Sequence, residues 1–97
     1  MGEPLTVIAR LRAKAGQQAR LRQQLQGLVA PSRAEAGCLL YDLHESRSDS
    51  GLFLFYEIWK SDADLDAHFQ TPHIKAIGKL FPELLDGELD LTKWTKL

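Results

Sequence analysis

The segment Leu52–Trp59 restricts the fold of this chain more than any other, because its alternating side chains are apolar on both faces. Leu52, Leu54, Tyr56 and Ile58 make one face, and Phe53, Phe55, Glu57 and Trp59 make the other. Eight residues that alternate in this way, and are rich in aromatic and branched side chains, are typical of a β-strand. Neither face has the polar side chains expected of a surface that is in contact with solvent. We therefore predict a strand covered on both sides, by helices of its own chain and by a second copy of the chain.

Three other segments have the alternation and composition of strands, namely residues 5–12, 38–46 and 88–97. The polar residues 47–51 are a turn, so the second and third strands form an antiparallel hairpin. Two regions repeat apolar side chains with helical spacing: residues 17–35, and residues 62–70 together with a second piece after Thr71-Pro72. The order β-α-β-β-α-β predicts a single α+β domain over residues 1–97, with a ferredoxin-like antiparallel sheet and its helices on one face.

Prolines and a serine set the expected limits of the helices. Ser61 is a good N-cap for the helix over residues 62–70. Pro31 is expected to kink the first helix or to start a new turn, and Pro82 is expected to interrupt the last helix. Ile74, Ile77 and Phe81 should share the buried face of that last helix.

Composition excludes several classes of protein. The net charge is −1, and the basic residues of the first 41 positions form no run and no nucleic-acid motif. No apolar stretch reaches the roughly 20 residues of a membrane span, and the N-terminus lacks a secretory pattern. The single cysteine, Cys38, cannot form an internal disulfide. We therefore expect a cytoplasmic protein with neither nucleic-acid nor membrane partners. The strand that is apolar on both faces adds the expectation of a homodimer.

Three stretches of the chain carry a family resemblance. They are residues 33–41, the Phe55-Tyr-Glu-Ile-Trp59 stretch, and residues 65–73 with their His-x4-His spacing. Together they resemble the antibiotic biosynthesis monooxygenase family, the small dimeric α+β barrels that include the quinol monooxygenases. The resemblance implies oxidation of a quinol or polyphenol-like aromatic by dioxygen, without a metal or flavin cofactor.

Two polar side chains stand out against apolar surroundings. Glu57 interrupts the apolar face of its strand, where burial would raise the pKa of the carboxyl towards the range useful for proton transfer. His68 borders the apolar stripe of its helix and is the candidate base. The competing interpretations are an ion pair for Glu57 and a hydrogen-bonded core position for His68. We assign both as catalytic candidates, with Glu57 orienting or tuning His68.

Four further residues are candidates for contact with a substrate, namely Trp59, Tyr41, Phe55 and His73. Trp59 shares a strand face with Glu57 and could stack on a planar ligand, although a core role is the commoner one for such a residue. His73 follows Thr71-Pro72 at a helix start, where it could equally cap or pack.

Other chemistries are not supported by the sequence. His68 and His73 are five residues apart and separated by Pro72, which is not the spacing that places two ligands on one helix face, so we predict no metal site. The chain contains no asparagine, and the similar haem-degrading proteins depend on an Asn-Trp-His set. Cofactor-independent oxidation of a quinol is thus the leading hypothesis. An isomerase or degradative enzyme for a small oxygenated metabolite, and a non-catalytic barrel that binds a small ligand, remain open.

Overall fold

The computed structural model describes residues 3–97 and has four strands and three helices. The elements are β1 (Leu5–Arg12), α1 (Gln18–Arg33), β2 (Cys38–Glu45), β3 (Leu52–Trp59), α2 (Asp62–Phe69), α3 (Pro72–Leu84) and β4 (Asp90–Thr95). The strands form one sheet in the order β2-β3-β1-β4, and every neighbouring pair is antiparallel. This is the predicted ferredoxin-like α+β fold, with the second helical region divided between α2 and α3.

One face of the sheet packs against the helices and holds the core. The odd-numbered residues of β1, from Leu5 to Leu11, point to this face and are buried. The Phe53, Phe55, Glu57 and Trp59 face of β3 lies beside them in the antiparallel register and is also buried. Leu21, Leu25 and Leu28 of α1 complete the core from the helical layer, as their spacing predicts.

Helix α1 continues past Pro31 but ends at Arg33, two residues before its predicted end. Glu35 therefore lies in the loop to β2 rather than in the helix. Its backbone N–H donates to Ser32 O across 3.1 Å, and its carbonyl accepts from Cys38 N across 3.1 Å. These bonds form a tight turn, which fixes the position of the Glu35 side chain.

Helix α2 begins as predicted, with Ser61 as its N-cap. The Ser61 hydroxyl accepts a 3.2 Å hydrogen bond from the backbone N–H of Asp64 and donates a 2.8 Å bond to the Asp64 carboxylate. The break before Pro72 then turns the chain into α3, with Pro72 in the first helical positions, where its missing N–H removes no helical bond.

The prediction that Pro82 interrupts the last helix is wrong, because α3 runs through it to Leu84. Pro82 lies in the last turn, where only the bond to Gly78 O is lost. The next bond of the helix, from Leu85 N to Phe81 O, is intact at 2.8 Å, and Lys14 Nζ donates to the Pro82 carbonyl across 2.7 Å.

The second face of the sheet, which we call the open face, carries no helix. Its β3 residues Leu52, Leu54 and Ile58 are half-buried, while Tyr56 is 38% exposed and Trp94 of β4 is 54% exposed. Within residues 3–97, none of the helices has the length and apolar character that crossing a bilayer requires.

Candidate functional site

A cavity of about 180 Å³ lies between the covered face of the sheet and the helices. Its wall takes residues from all seven elements: Ala9, Leu11, Leu25, Leu28, Tyr41, Phe55, Glu57, His68, Phe69, Ile74, Ile77, Gly78, Phe81, Leu89 and Leu91. Gly78 is exposed to solvent and marks the side on which the cavity opens. An engineered cavity of about 150 Å³ in another protein holds one benzene molecule, so this space suits a ligand with one six-membered ring.

Glu57 is one of the few polar groups on this apolar wall. It lies in the middle of the sheet, opposite Val7 of β1 and Tyr41 of β2, and is 3% exposed. Its Oε1 accepts a 2.8 Å hydrogen bond from the indole N–H of Trp59. Burial raises the pKa of the Glu57 carboxyl to about 7, and the Trp59 hydrogen bond opposes part of that rise. The carboxyl can therefore donate or accept a proton near neutral pH.

His68 is the second polar group on the wall, and it reaches the cavity from α2. The residue is 2% exposed, and its Nδ1 lies 2.7 Å from Oε2 of Glu35. The same oxygen lies 2.9 Å from Nε2 of His73. Burial lowers the pKa of the His68 imidazole, which the neighbouring Glu35 carboxylate partly restores. Because Nδ1 is engaged, Nε2 is the nitrogen that His68 can offer to a ligand in the cavity.

The loop between α1 and β2 brings Glu35 to the histidines by passing close to α2. A Cβ on Gly37 would lie 2.3 Å from the Cβ of Asp64, so no larger residue fits between the loop and the helix. The carbonyl of Gly37 also accepts a 2.9 Å hydrogen bond from the backbone N–H of Lys60. Gly37 therefore allows the close approach that holds Glu35 beside His68.

Aromatic rings surround the two polar groups. The ring of Tyr41 lies 4.6 Å from that of Phe55, and the indole of Trp59 lies 4.5 Å from the imidazole of His68. Burial, together with the nearby Glu57 carboxylate, raises the pKa of the Tyr41 phenol well above its usual range, so the phenol stays protonated. The result is a neutral aromatic wall that matches a planar aromatic ligand.

The predicted site residues gather in this region, but in two layers. Glu57, His68, Tyr41 and Phe55 line the cavity. Trp59 is fully buried and meets the cavity through its contacts with Glu57 and His68, and His73 lies outside the wall and meets it through Glu35. The carboxylate hydrogen-bonded to His68 is that of Glu35, whereas Glu57 is bonded to Trp59.

Sequence reasoning missed Glu35, because it placed residue 35 inside a helix. The available signal was Gly37, two residues later, because a glycine commonly follows the end of a helix and the next strand begins directly after it. A charged residue in such a short loop, just before a strand that carries site residues, is held at the edge of that site.

The spacing argument against a metal site also needs correction. The break at Thr71-Pro72 folds α3 back, so His68 and His73 meet although they share no helix face, and one ligand atom from each lies within 4.8 Å of the other and of Glu35. The separations from the Glu35 oxygen are 2.7 and 2.9 Å, which are hydrogen-bond distances. A metal at about 2.0–2.2 Å from each ligand would need these atoms to move apart.

The comparisons with known proteins agree with this fold. A family model described as Antibiotic biosynthesis monooxygenase matches residues 4–80. The chain belongs to the antibiotic biosynthesis monooxygenase family. The resemblance that the sequence motifs predict is thus confirmed, and family membership supports a monooxygenase-like function.

Individual relatives cover this chain to different extents. The Synechocystis protein sll1783 is 34% identical over 83 residues, which are 86% of this chain but 56% of that protein, so the chain spans little more than half of its length. Rv0793 of Mycobacterium tuberculosis is 40% identical over 92 residues, 95% of this chain and 90% of its own. The Escherichia coli protein named "Probable quinol monooxygenase YgiN" is 36% identical, with 88% of both chains covered.

Solved structures of the family superpose closely on this one. The crystal structure of PA3566 from Pseudomonas aeruginosa has a TM-score of 0.95 and 43% sequence identity, and covers 100% of this chain and 97% of its own. A crystal structure titled as an antibiotic biosynthesis monooxygenase has a TM-score of 0.90 and 29% identity, and covers 96% of this chain and 98% of its own, so the antiparallel sheet with helices on one face is a fold of this family.

Proposed function

We propose that this protein is a cofactor-independent monooxygenase that oxidises a one-ring quinol with dioxygen. The observation that carries the proposal is the presence of both His68 and Glu57 on the wall of an otherwise largely apolar, aromatic cavity. The family name and the printed name of the Escherichia coli relative support the reaction class and the substrate class.

The proposed reaction begins with proton transfer to His68. Burial lowers the pKa of its imidazole, so the ring is neutral at pH 7 and its Nε2 can accept a phenolic proton from the quinol. The resulting phenolate gives one electron to dioxygen, which yields a semiquinone and superoxide. These combine at a ring carbon to form a peroxide anion, the His68 imidazolium returns its proton to give the hydroperoxide, and loss of water leaves a hydroxyquinone. One quinol and one dioxygen thus become one hydroxyquinone and one water, and the quinol supplies all four electrons that reduce dioxygen.

Glu57 has a separate role in this scheme. With a pKa of about 7, its carboxyl can hydrogen-bond the second hydroxyl of the quinol and accept its proton as the ring is oxidised. Two groups with different protonation states on one wall suit a substrate that loses two protons. The apolar remainder of the wall excludes water and orients the ring.

Oxygen consumption with 1,4-dihydroxybenzene tests the proposal, measured beside the rate of uncatalysed oxidation. We expect turnover above that background, one atom of ¹⁸O₂ in the hydroxyquinone, and a loss of about 100-fold in His68→Gln. Lys75→Gln, an exposed charge change on α3, is the control and should keep the wild-type rate.

Other outcomes of the same experiment contradict the proposal in distinct ways. Hydrogen peroxide with unlabelled quinone would identify an oxidase. Deuterium exchange from solvent into a small oxygenated metabolite, without oxygen uptake, would favour an isomerase. A rise in melting temperature with 1,4-dihydroxybenzene, with no turnover of any one-ring quinol, would favour a ligand-binding protein.

The proposal includes a homodimer formed through the open face. Half-buried Leu52, Leu54 and Ile58 adjoin the exposed rings of Tyr56 and Trp94 on this face, an apolar surface of a kind that is usually covered. Sedimentation equilibrium at micromolar concentration should give twice the mass of the chain. Leu54→Glu should shift the mass to that of the monomer, and a wild-type monomer would contradict the dimer.

A further inference from the structure

Glu35 makes the same contact with two histidines, through one carboxylate oxygen. Its Oε2 lies 2.7 Å from Nδ1 of His68 and 2.9 Å from Nε2 of His73. The three side chains become more accessible in the order His68, Glu35 and His73, at 3%, 15% and 21% exposed. Glu35 is thus a largely buried carboxylate between the cavity histidine and a histidine nearer the surface.

Neighbouring hydrogen bonds determine which atoms carry the protons. The Thr71 hydroxyl donates its hydrogen to the backbone carbonyl of His68 across 2.7 Å, so it can only accept from Nε2 of His73, at 3.3 Å. Nε2 of His73 is therefore an N–H donor, shared between Thr71 and Glu35. An ionised Glu35 is an acceptor only, so Nδ1 of His68 is also N–H, and its Nε2 keeps a free lone pair.

We infer that Glu35 is the positioning residue of His68, and that His73 holds Glu35 in place for this task. The inference rests on the proposed role of His68 as the base. The contact with Glu35 selects the ring form whose Nε2 lone pair is available in the cavity, and it fixes the orientation of the ring about its long axis.

The charge of Glu35 matters when His68 receives a proton. The imidazolium that forms is buried, and the carboxylate at 2.7 Å stabilises it as the aspartate does in a Ser-His-Asp triad. Other titratable groups around His68 are Glu57 of β3 and Tyr41 of β2, with His73 of α3 behind Glu35. Tyr41 stays neutral, and Glu35 is the carboxylate in contact with the ring.

The role of His73 follows from the second bond to the same oxygen. A glutamate side chain has several rotamers, and a single bond to His68 leaves it free to turn towards solvent. The His73 N–H, itself anchored by Thr71, holds the oxygen from the other side. His73 therefore acts on the reaction only through Glu35 and His68.

Long-range ¹H–¹⁵N correlation spectra of the imidazoles test this inference without any substrate. We expect wild-type His68 to be the Nδ1–H form at pH 7.5, and Glu35→Ala to convert it to the Nε2–H form that histidine prefers in water. Glu35→Gln keeps an oxygen acceptor and should retain Nδ1–H, but without the charge the pKa of His68 should fall further. Wild-type His68 as the Nε2–H form, or an unchanged form in Glu35→Ala, would overturn the inference.

Kinetics with 1,4-dihydroxybenzene give the second readout. Glu35→Ala should lose about 100-fold in kcat and Glu35→Gln about 10-fold, with KM little changed, because the defect is in proton transfer. His73→Gln should lose less than Glu35→Ala. Glu83→Gln, a surface glutamate on α3, is the control. If no quinol is oxidised but the spectra behave as expected, the proposed function fails and the roles of Glu35 and His73 stand. If a quinol is oxidised but the spectra do not change in Glu35→Ala, the proposed function stands and the role of Glu35 fails.

Discussion

Trp59 donates its indole N–H to Glu57 across 2.8 Å, on the same face of β3 and two residues away. The bond places the donor behind the carboxyl, so that Glu57 faces the cavity while Trp59 fills the core. It also opposes the effect of burial on the pKa of Glu57. Because the acceptor is a carboxyl of intermediate pKa, the strength of this one bond adjusts the pH at which Glu57 ionises.

Trp59→Phe should raise the pKa of Glu57 above its present value of about 7, because the donor that favours the ionised form is lost. Carbon-13 titration of the Glu57 carboxyl measures the change directly. The substitution should also destabilise the fold by about 1–3 kcal/mol. Trp94→Phe, on the open face, is the matched control and should leave the Glu57 titration unchanged. An unaltered Glu57 pKa in Trp59→Phe would show that the bond has no such influence.

Glu57→Gln should change the pH dependence of stability. The pKa of Glu57 is raised on folding, from 4.5 to about 7, so the native state binds the extra proton in this range. The contribution of Glu57 to the free energy of unfolding is fully present below pH 4.5. It is lost as the pH rises through 7, by roughly 3 kcal/mol in total. Urea unfolding at pH 5 and pH 8 measures the loss. The amide does not titrate, so the variant should lack this decline, and a parallel decline in both proteins would contradict the assignment.

The pH profile of kcat/KM should identify the base. Burial lowers the pKa of His68 from 6.5, so the neutral ring is present at pH 7 and activity should fall only as the pH drops through a value below 6.5. In the proposed scheme Glu57 accepts its proton only after the electron transfer to dioxygen, so kcat/KM should not report its ionisation, and Glu57→Gln should keep this acid limb in place. An acid limb near pH 7 that disappears in Glu57→Gln would instead make Glu57 the base.

Gly37→Ala should disturb the site from outside the cavity. The new Cβ would lie 2.3 Å from the Cβ of Asp64, so the loop or the start of α2 has to move. We expect a loss of about 1–3 kcal/mol in stability and displacement of Glu35 from His68. Thermal unfolding and the His68 imidazole spectrum measure the two effects. Ala36→Ser, at an exposed position of the same loop, is the control and should change neither.

The order of elements and the buried faces could be predicted because they depend on local periodicity. Leu52–Trp59 alternates so regularly that the residues of its two faces follow from the sequence, whereas the face that lines the cavity does not. The prediction for Pro82 was wrong because the expected cost assumes a position in the middle of a helix, whereas the residue lies in the last turn. Helix limits of this kind depend on a few backbone contacts that local patterns do not contain.

The candidate site was predictable only in part, for a different reason. Glu57 and His68 stand out because each is polar among apolar neighbours in the sequence. Glu35 does not stand out, since it is flanked by alanines that favour a helix, and its partners are 33 and 38 residues away. Its importance arises from the close approach of two segments at Gly37 and from the turn before α3, which are tertiary features.

The cavity wall takes side chains from every helix and strand of residues 3–97, so a change at the proposed site is also a change in the scaffold that forms it. Ala9 and Gly78 are the smallest residues of that wall, one in the core of the sheet and one where the cavity opens. Enlarging Ala9 would reduce the room for a ring, and enlarging Gly78 would narrow the entrance. Any change of substrate size in such a protein is also a change of core packing, so new specificities must arise in small steps that the fold can tolerate.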